Sequence, residues 1–519
     1  MNASRADGSR RSGAVASPHW MATEAGAEVL ASGGNALDAA IATNAMLTVV
    51  YPHMCGVGGD ALMLYHDARG ATVHCLNGTG PAPALATPEA FAARGLDGVP
   101  ARGPLPVTVP GGVAAWDAAV ARFGTRPLAD LLGPAISAAE NGFTVTDRLA
   151  TWVAESRADL AADPALRRIF LGADGATPVK GGDTLRLPEL GATLRRLATA
   201  GATDLYTGEL AAAIDAAMRE ADGLLRAEDL AAYSPEWVEP LTLAYGGLDI
   251  VTTPPNSQGV AALLMLQDIG ELDDALRTAG YVERFVAAKR SAIALRDAHV
   301  TDARHMAVTA QELLDRSVPA GAAASPPPRG DTVYLCAVDS EGNACSLIQS
   351  IYYAFGSCFT AGDTGILFHN RGHYFSLDPA STNVIAPRKR TLHTLMASMA
   401  LKDGRPRFVF GTMGADGQPQ GTVQVLHQLL SGASAQDAVS APRLLHGRFA
   451  LEDDPETLHV ESDYGDETLD ALRESVAELE VVPPRSERMG HAHAITIDGD
   501  GALTAGADPR SDGSAIVVG

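Results

Sequence analysis

Two apolar-rich stretches open the chain, Trp20–Ala31 and Ala36–Val50, and both predict helices. Ser32-Gly33-Gly34-Asn35 between them ends the first and caps the second, which gives a helical hairpin. Residues 52–60 form a glycine-rich loop, and 61–66 with 71–76 then predict a pair of strands. From 109 to 276 the pattern is rich in Ala and Leu and helical, with Gly and Pro punctuation and one strand-like piece at 248–253. Residues 317–330, Ser-Val-Pro-Ala-Gly-Ala-Ala-Ala-Ser-Pro-Pro-Pro-Arg-Gly, break this pattern and predict a mobile, solvated linker. After it, 332–339 and 344–351 alternate β-branched and apolar residues around Ser340-Glu341-Gly342-Asn343, a hairpin signal. Strands at 408–410 and 493–498 and a helix at 422–430 follow. Helices in blocks on either side of strands predict a layered α/β protein whose sheets are sandwiched by helices.

With 519 residues, 46% of them hydrophobic, the chain can bury a large core as one big domain or two to three ordinary ones. A formal charge of -23, from 39 basic and 62 acidic side chains, repels nucleic acid and anionic membranes. A small-molecule ligand fits better. Cys55, Cys75, Cys336, Cys345 and Cys358 contain no C-x-x-C pair and are odd in number, so reduced core residues are expected. The arginines near the N-terminus precede no apolar h-region, and no run of roughly 18 apolar residues occurs, which makes the cytoplasm the expected compartment.

Familiar catalytic signatures are missing: the sequence has no G-x-S-x-G elbow, no H-E-x-x-H and no phosphate-binding G-x-x-x-x-G-K-[ST]. Gly56, Gly58 and Ala61 satisfy G-x-G-x-x-A, but a strand follows where a dinucleotide site needs a helix. His491 and His493 share a strand face without a third ligand nearby in sequence, and read as surface or core histidines. More informative is Asp331-Thr332, where the linker meets a strong strand. A cut there leaves Thr332 as a strand N-terminus, and its free α-amino group, with a pKa near about 8, can serve as base for its own weakly nucleophilic hydroxyl. On pattern alone, Thr at a strand start is simply a β-former.

Several ordered motifs decide between these readings. They are Met21-Ala22-Thr23 with Gly33 to Ala40, Gly58-Gly59-Asp60, Pro254-Pro255-Asn256-Ser257-Gln258-Gly259, Asp331-Thr332 through Gly342-Asn343-Ala344, Phe355-Gly356, Gly365-Ile366-Leu367, and Asp508-Pro509-Arg510 with Asp512-Gly513. In that order they resemble the γ-glutamyltransferase family of N-terminal nucleophile hydrolases over nearly the whole chain. The resemblance implies a four-layer αββα sandwich. It implies that Thr332 is the nucleophile, released when the Asp331-Thr332 bond breaks by an internal N-to-O acyl shift. Residues 1–331 and 332–519 would then be two tightly packed fragments of one catalytic unit, alone or paired as a dimer. Ser350 stands where the family has a supporting Thr hydroxyl, and Gly414 and Ala415 fall on its oxyanion-stabilising glycine pair, with Ala restricting the backbone. No metal, nucleotide or other cofactor is implied.

The departures fall on the groups that recognise a γ-glutamyl headgroup. Asn77 replaces the family's Arg for the α-carboxylate, Tyr352 and Tyr374 replace its Asn and Asp for the α-amino group, and His393-Thr394 replaces its Ser-Ser pair. Each lost charged hydrogen bond is worth roughly 1.5 to 3 kcal/mol. Asn370 to Pro379, Arg390 to Leu395 and Gly414-x-x-Gly417-Gln418-Pro419-Gln420 resemble instead the subgroup containing oxamate amidohydrolase. The expected reaction is hydrolysis or transfer of a small carboxylated amide through an acyl-Thr332 intermediate, with Arg371, His373 and His393 either supplying the carboxylate contacts or only packing and making internal ion pairs. Alternatives are γ-glutamyl hydrolysis or transfer, C–C cleavage beside an oxalyl carbonyl in a biosynthetic pathway, and an inactive binding homologue.

Overall fold

The opening hairpin forms with the expected bounds, helices Trp20–Ala31 and Ala36–Val50. The computed structural model describes residues 13–172, 174–271, 276–319, 331–447 and 454–519. Asn35 caps the second helix reciprocally: its side chain accepts from the Asp38 N–H at 2.9 Å, and Asp38 accepts from the Asn35 N–H at 3.0 Å. All 15 residues of that helix are buried, so it carries no polar stripe and is covered on every side.

Two antiparallel sheets form the centre. The first runs Ser514–Val518, Gly13–Ser17, Asp331–Val338, Ala344–Tyr352, Asp60–Asp67, Thr72–Gly78, Glu236–Val238. The second runs Leu503–Ala507, Ala492–Ile497, Arg405–Thr412, Ser398–Lys402, Leu248–Thr252, Leu241–Tyr245. Alternation along each strand divides the core. Leu62, Leu64, Tyr334, Cys336 and Ile348 face Val251, Met399, Val409 and Ile495 across the gap between the sheets. Met63, Tyr65, Val333, Leu335 and Leu347 turn outward onto helices that include Ala36–Val50 and Leu128–Asn141. On the far side, Ile250, Ala400 and Phe410 pack on Gly259–Ile269, Ala279–His299 and Gln418–Leu430. The result is the expected αββα sandwich.

The differences from the sequence reading have physical causes. The stretch read as helical with one strand contains five among the described residues: a short pair, Phe143–Thr144 with Thr184–Leu185, and then Glu236–Val238, Leu241–Tyr245 and Leu248–Thr252. Gly13–Ser17 is a strand of mostly small residues buried throughout, so no apolar-polar alternation marks it. The 21-residue helix Ala279–His299 lies beyond the segment read as helical. Residues 320–330 of the predicted linker lie outside the described residues. All five cysteines are free and buried. No helix among the described residues is long and apolar enough to cross a membrane.

Candidate active site

Thr332 is the second residue of a strand inside the first sheet, and alternation places it with Tyr334 and Cys336 on the face between the sheets. The neighbouring strand is irregular opposite it. Gln349 pairs with Val333 and Tyr352 with Asp331, so Ser350 and Ile351 together face Thr332 in a β-bulge. Tyr352 takes a positive φ of 77° as the strand turns away. The Thr332 hydroxyl donates to Ser350 Oγ at 3.2 Å, and the Tyr352 N–H donates to the same oxygen at 2.7 Å. Thr332 is 1% exposed and Ser350 2%.

Gly414 and Ala415 follow the Arg405–Thr412 strand. Gly414 has φ 134° and Ala415 φ 46°, a left-handed conformation in which a Cβ costs about 1–2 kcal/mol. Among the described residues, neither backbone N–H has a hydrogen-bond partner. The loop is held from behind: the Met413 N–H and the Thr412 hydroxyl both donate to the His491 carbonyl. From inside, Gln258 Nε2 donates to the carbonyls of Thr394 at 2.6 Å and Ala415 at 2.8 Å.

Arg371 is linked to both regions through its neighbours, to the bulged strand by Tyr352 and to the loop by Thr394 and Tyr374. Its guanidinium carbon stands 3.8 Å from the centre of the Tyr352 ring and 5.6 Å from that of Tyr374, and Nη2 donates to Thr394 Oγ1 at 3.1 Å. Nε and Nη1 are buried without partners, and burial pulls the guanidinium below its ordinary pKa. Other residues grouped with it on sequence are engaged elsewhere. Asn77 donates to Asn256 Oδ1 and accepts from the Thr79 N–H and hydroxyl. His373 Nδ1 meets the Val99 carbonyl at 2.5 Å. His393 accepts from the Leu395 N–H at Nδ1 and faces Asp60 Oδ2 through Nε2 at 3.2 Å, which assigns the proton to Nε2. The Tyr374 hydroxyl donates to Asp416 Oδ1 at 2.7 Å.

The sequence reading did not place Asp60, Gln258, Arg296 or Asp416 in the site, although Asp60, Gln258 and Asp416 stood inside motifs it quoted. Asp60 pairs with Ser350 across the sheet. Its Oδ1 accepts two backbone N–H groups, Gly80 and Gly111, each at 3.1 Å, while Oδ2 faces His393 and, at 3.4 Å, His369. Burial alone would raise this carboxyl, but the two histidines outweigh it and hold the pKa below the usual range. Burial first, and Arg371 second, push His393 down to about 3.

Both shifts carry the same sign for stability. Asp60 contributes above its unfolded pKa of about 3.9, and loses that contribution as pH falls further. His393 stays neutral when folded but takes up a proton when unfolded below about pH 6.5, so its burial destabilises progressively below that pH. His19 and His493, pushed by burial to about 4, and His427, to about 3, act the same way. The melting temperature should therefore fall steadily from pH 7 to pH 4. A flat profile over that range would contradict the buried neutral histidines.

Among the described residues, no group of three or more His, Cys, Asp or Glu is arranged to hold a metal ion. His491 and His493 are both buried, as core histidines.

The sequence pattern described as Gamma-glutamyltranspeptidase matches residues 22–518. The chain belongs to this family. Within it, the chain is 38% identical over 522 residues to the glutathione hydrolase-like YwrD proenzyme of Bacillus subtilis, spanning 97% of this chain and 98% of the relative. It is 37% identical over 530 residues to the oxamate amidohydrolase proenzyme of Klebsiella pneumoniae, with the same coverage of 97% and 98%. Among solved structures, cephalosporin acylase from Bacillus halodurans superposes with a TM-score of 0.89 at 34% identity, covering 99% of this chain and 97% of that one. The gamma-glutamyltranspeptidase of Helicobacter pylori gives a TM-score of 0.54 over 59% of this chain. The chain is thus an enzyme of the gamma-glutamyltranspeptidase family, an N-terminal nucleophile hydrolase related to proenzymes.

Proposed function

We propose that this protein cuts itself between Asp331 and Thr332 and then hydrolyses a small carboxylated, oxamate-like amide through an acyl-Thr332 ester. The observation that carries the substrate class is Arg371. It is a guanidinium 1% exposed, with Nε and Nη1 unpaired and no carboxylate at salt-bridge distance among the described residues. A buried cation in that state costs several kcal/mol. A substrate carboxylate offsets the cost through charge-assisted hydrogen bonds. The likeness to oxamate amidohydrolase supports the same class.

In the precursor, Thr332 Oγ1 attacks the Asp331 carbonyl carbon, the C–N bond to Thr332 breaks, and the peptide becomes an ester. Water hydrolyses that ester, leaving the Asp331 carboxylate and a free Thr332 amine. The amine then takes the Oγ1 proton as Oγ1 attacks the substrate amide carbon. The Gly414 and Ala415 N–H groups receive the oxyanion. The proton passes to the departing nitrogen, and a water molecule hydrolyses the Thr332 ester to a carboxylate and the restored hydroxyl.

The test compares kcat/KM for an oxalyl amide, a γ-glutamyl anilide and glutathione. The oxalyl amide should lead by at least about tenfold, equivalent to about 1.4 kcal/mol of transition-state binding. Faster turnover of glutathione would overturn the substrate assignment.

A further inference from the structure

Asp416 follows directly on the two unpaired backbone N–H groups and precedes the Gln418–Leu430 helix. Its two oxygens differ. Oδ1 accepts from the Tyr374 hydroxyl at 2.7 Å and lies 2.7 Å from Arg296 Nη1. Oδ2 is enclosed and has no hydrogen-bond partner among the described residues, although the side chain as a whole is 24% exposed. Arg296 is fixed: it is buried, paired with Asp297 at 2.6 Å, and donates to Gln258 Oε1 at 2.6 Å. The same Gln258 holds the Ala415 carbonyl, so carboxylate and loop are braced by one network.

An ionised carboxylate oxygen only accepts hydrogen bonds, and leaving one enclosed and unpaired costs about 1–3 kcal/mol or more. Such an oxygen beside an oxyanion site suits a proton donor on the substrate. Its position relative to Arg371 is set by one side chain, because the Tyr374 ring that holds Oδ1 also lies against the guanidinium. The cation and the acceptor are therefore held by the ring and the hydroxyl of the same tyrosine.

We infer that Asp416 is a specificity-determining residue whose Oδ2 accepts an N–H of the substrate while Arg371 holds its carboxylate. This rests on the reading of Thr332 and Arg371 given above. The donor is either the scissile amide N–H or an ammonium beside the substrate carboxylate. An ester of the same acid offers Oδ2 an oxygen lone pair instead, and is disfavoured.

The test is Asp416→Asn, with self-cleavage followed by intact mass. Asn keeps an oxygen toward Tyr374 and Arg296 and turns the free position into a donor. Four substrates are compared: an oxalyl amide with its matching oxalate monoester, and a γ-glutamyl anilide with its glutaryl counterpart. The amide-to-ester ratio of kcat/KM should fall by at least about tenfold, over and above any loss that amide and ester share. A fall confined to the glutamyl-to-glutaryl ratio also supports the acceptor role and identifies the ammonium as its donor. An equal loss on all four, or no loss, overturns the inference. Should Asp416→Asn fail to fold, Asp416→Ser removes Oδ2 in a smaller side chain and is judged by the same ratios. Failure of the Arg371 reading shows separately, as a KM that Arg371→Ala leaves unchanged.

Discussion

Thr332→Ala is expected to remain a single full-length chain and to lose turnover by a factor on the order of 10⁴ or more, since no other group replaces the nucleophile. Wild-type protein should separate on a denaturing gel into residues 1–331 and 332–519. Thr332→Ser, which keeps a hydroxyl at 3.2 Å reach of Ser350 Oγ, should still cut, more slowly. Intact mass and steady-state kinetics on the same preparations check both. An active wild-type enzyme that is wholly uncut would remove Thr332 from the mechanism.

Arg371→Ala should raise KM for the best carboxylated substrate by about ten- to a hundredfold, the equivalent of roughly 1.5 to 3 kcal/mol, with self-cleavage intact. Arg371→Lys should recover part of this, because an ammonium supplies charge without the planar fork. The accompanying stability effect separates substrate binding from packing. Removing a buried cation that has no carboxylate partner relieves a cost rather than breaking a pair, so Arg371→Leu should keep or raise the melting temperature. A residue that only held the fold together would lose stability instead. Unchanged kinetics on the best substrate would return Arg371 to a structural role.

How much of this was legible in the sequence follows from sequence separation. The opening helices and the 344–351 strand were readable because caps, turns and apolar periods are local. Strands such as Gly13–Ser17 were not, because burial on both faces erases alternation. Thr332 as the proposed nucleophile was suggested by the linker-strand junction and the order of the motifs. The electrostatics around it were hidden, since they join distant positions: Asp60 meets His393 across 333 residues and Gln258 meets Ala415 across 157. Arg371 was one of three residues that the subgroup resemblance offered as carboxylate contacts, but only packing reveals that Tyr352 and Tyr374 flank it and leave two of its nitrogens unpaired.

The strand order of the first sheet has a consequence for the enzyme's lifetime. Gly13–Ser17 lies between Ser514–Val518 and Asp331–Val338, and Ala344–Tyr352 lies between Asp331–Val338 and Asp60–Asp67, so the two sides of the proposed cleavage point are interleaved. Once the bond is cut, neither fragment can leave without tearing several ladders of the sheet, and the pair should co-purify under native conditions. Unfolding then yields two separate chains. Their reunion is a bimolecular event that slows with dilution, whereas the precursor folded as one molecule. Mature enzyme should therefore be protected mainly by the height of its unfolding barrier, and heat inactivation should be irreversible and scan-rate dependent where the uncut Thr332→Ala chain still refolds.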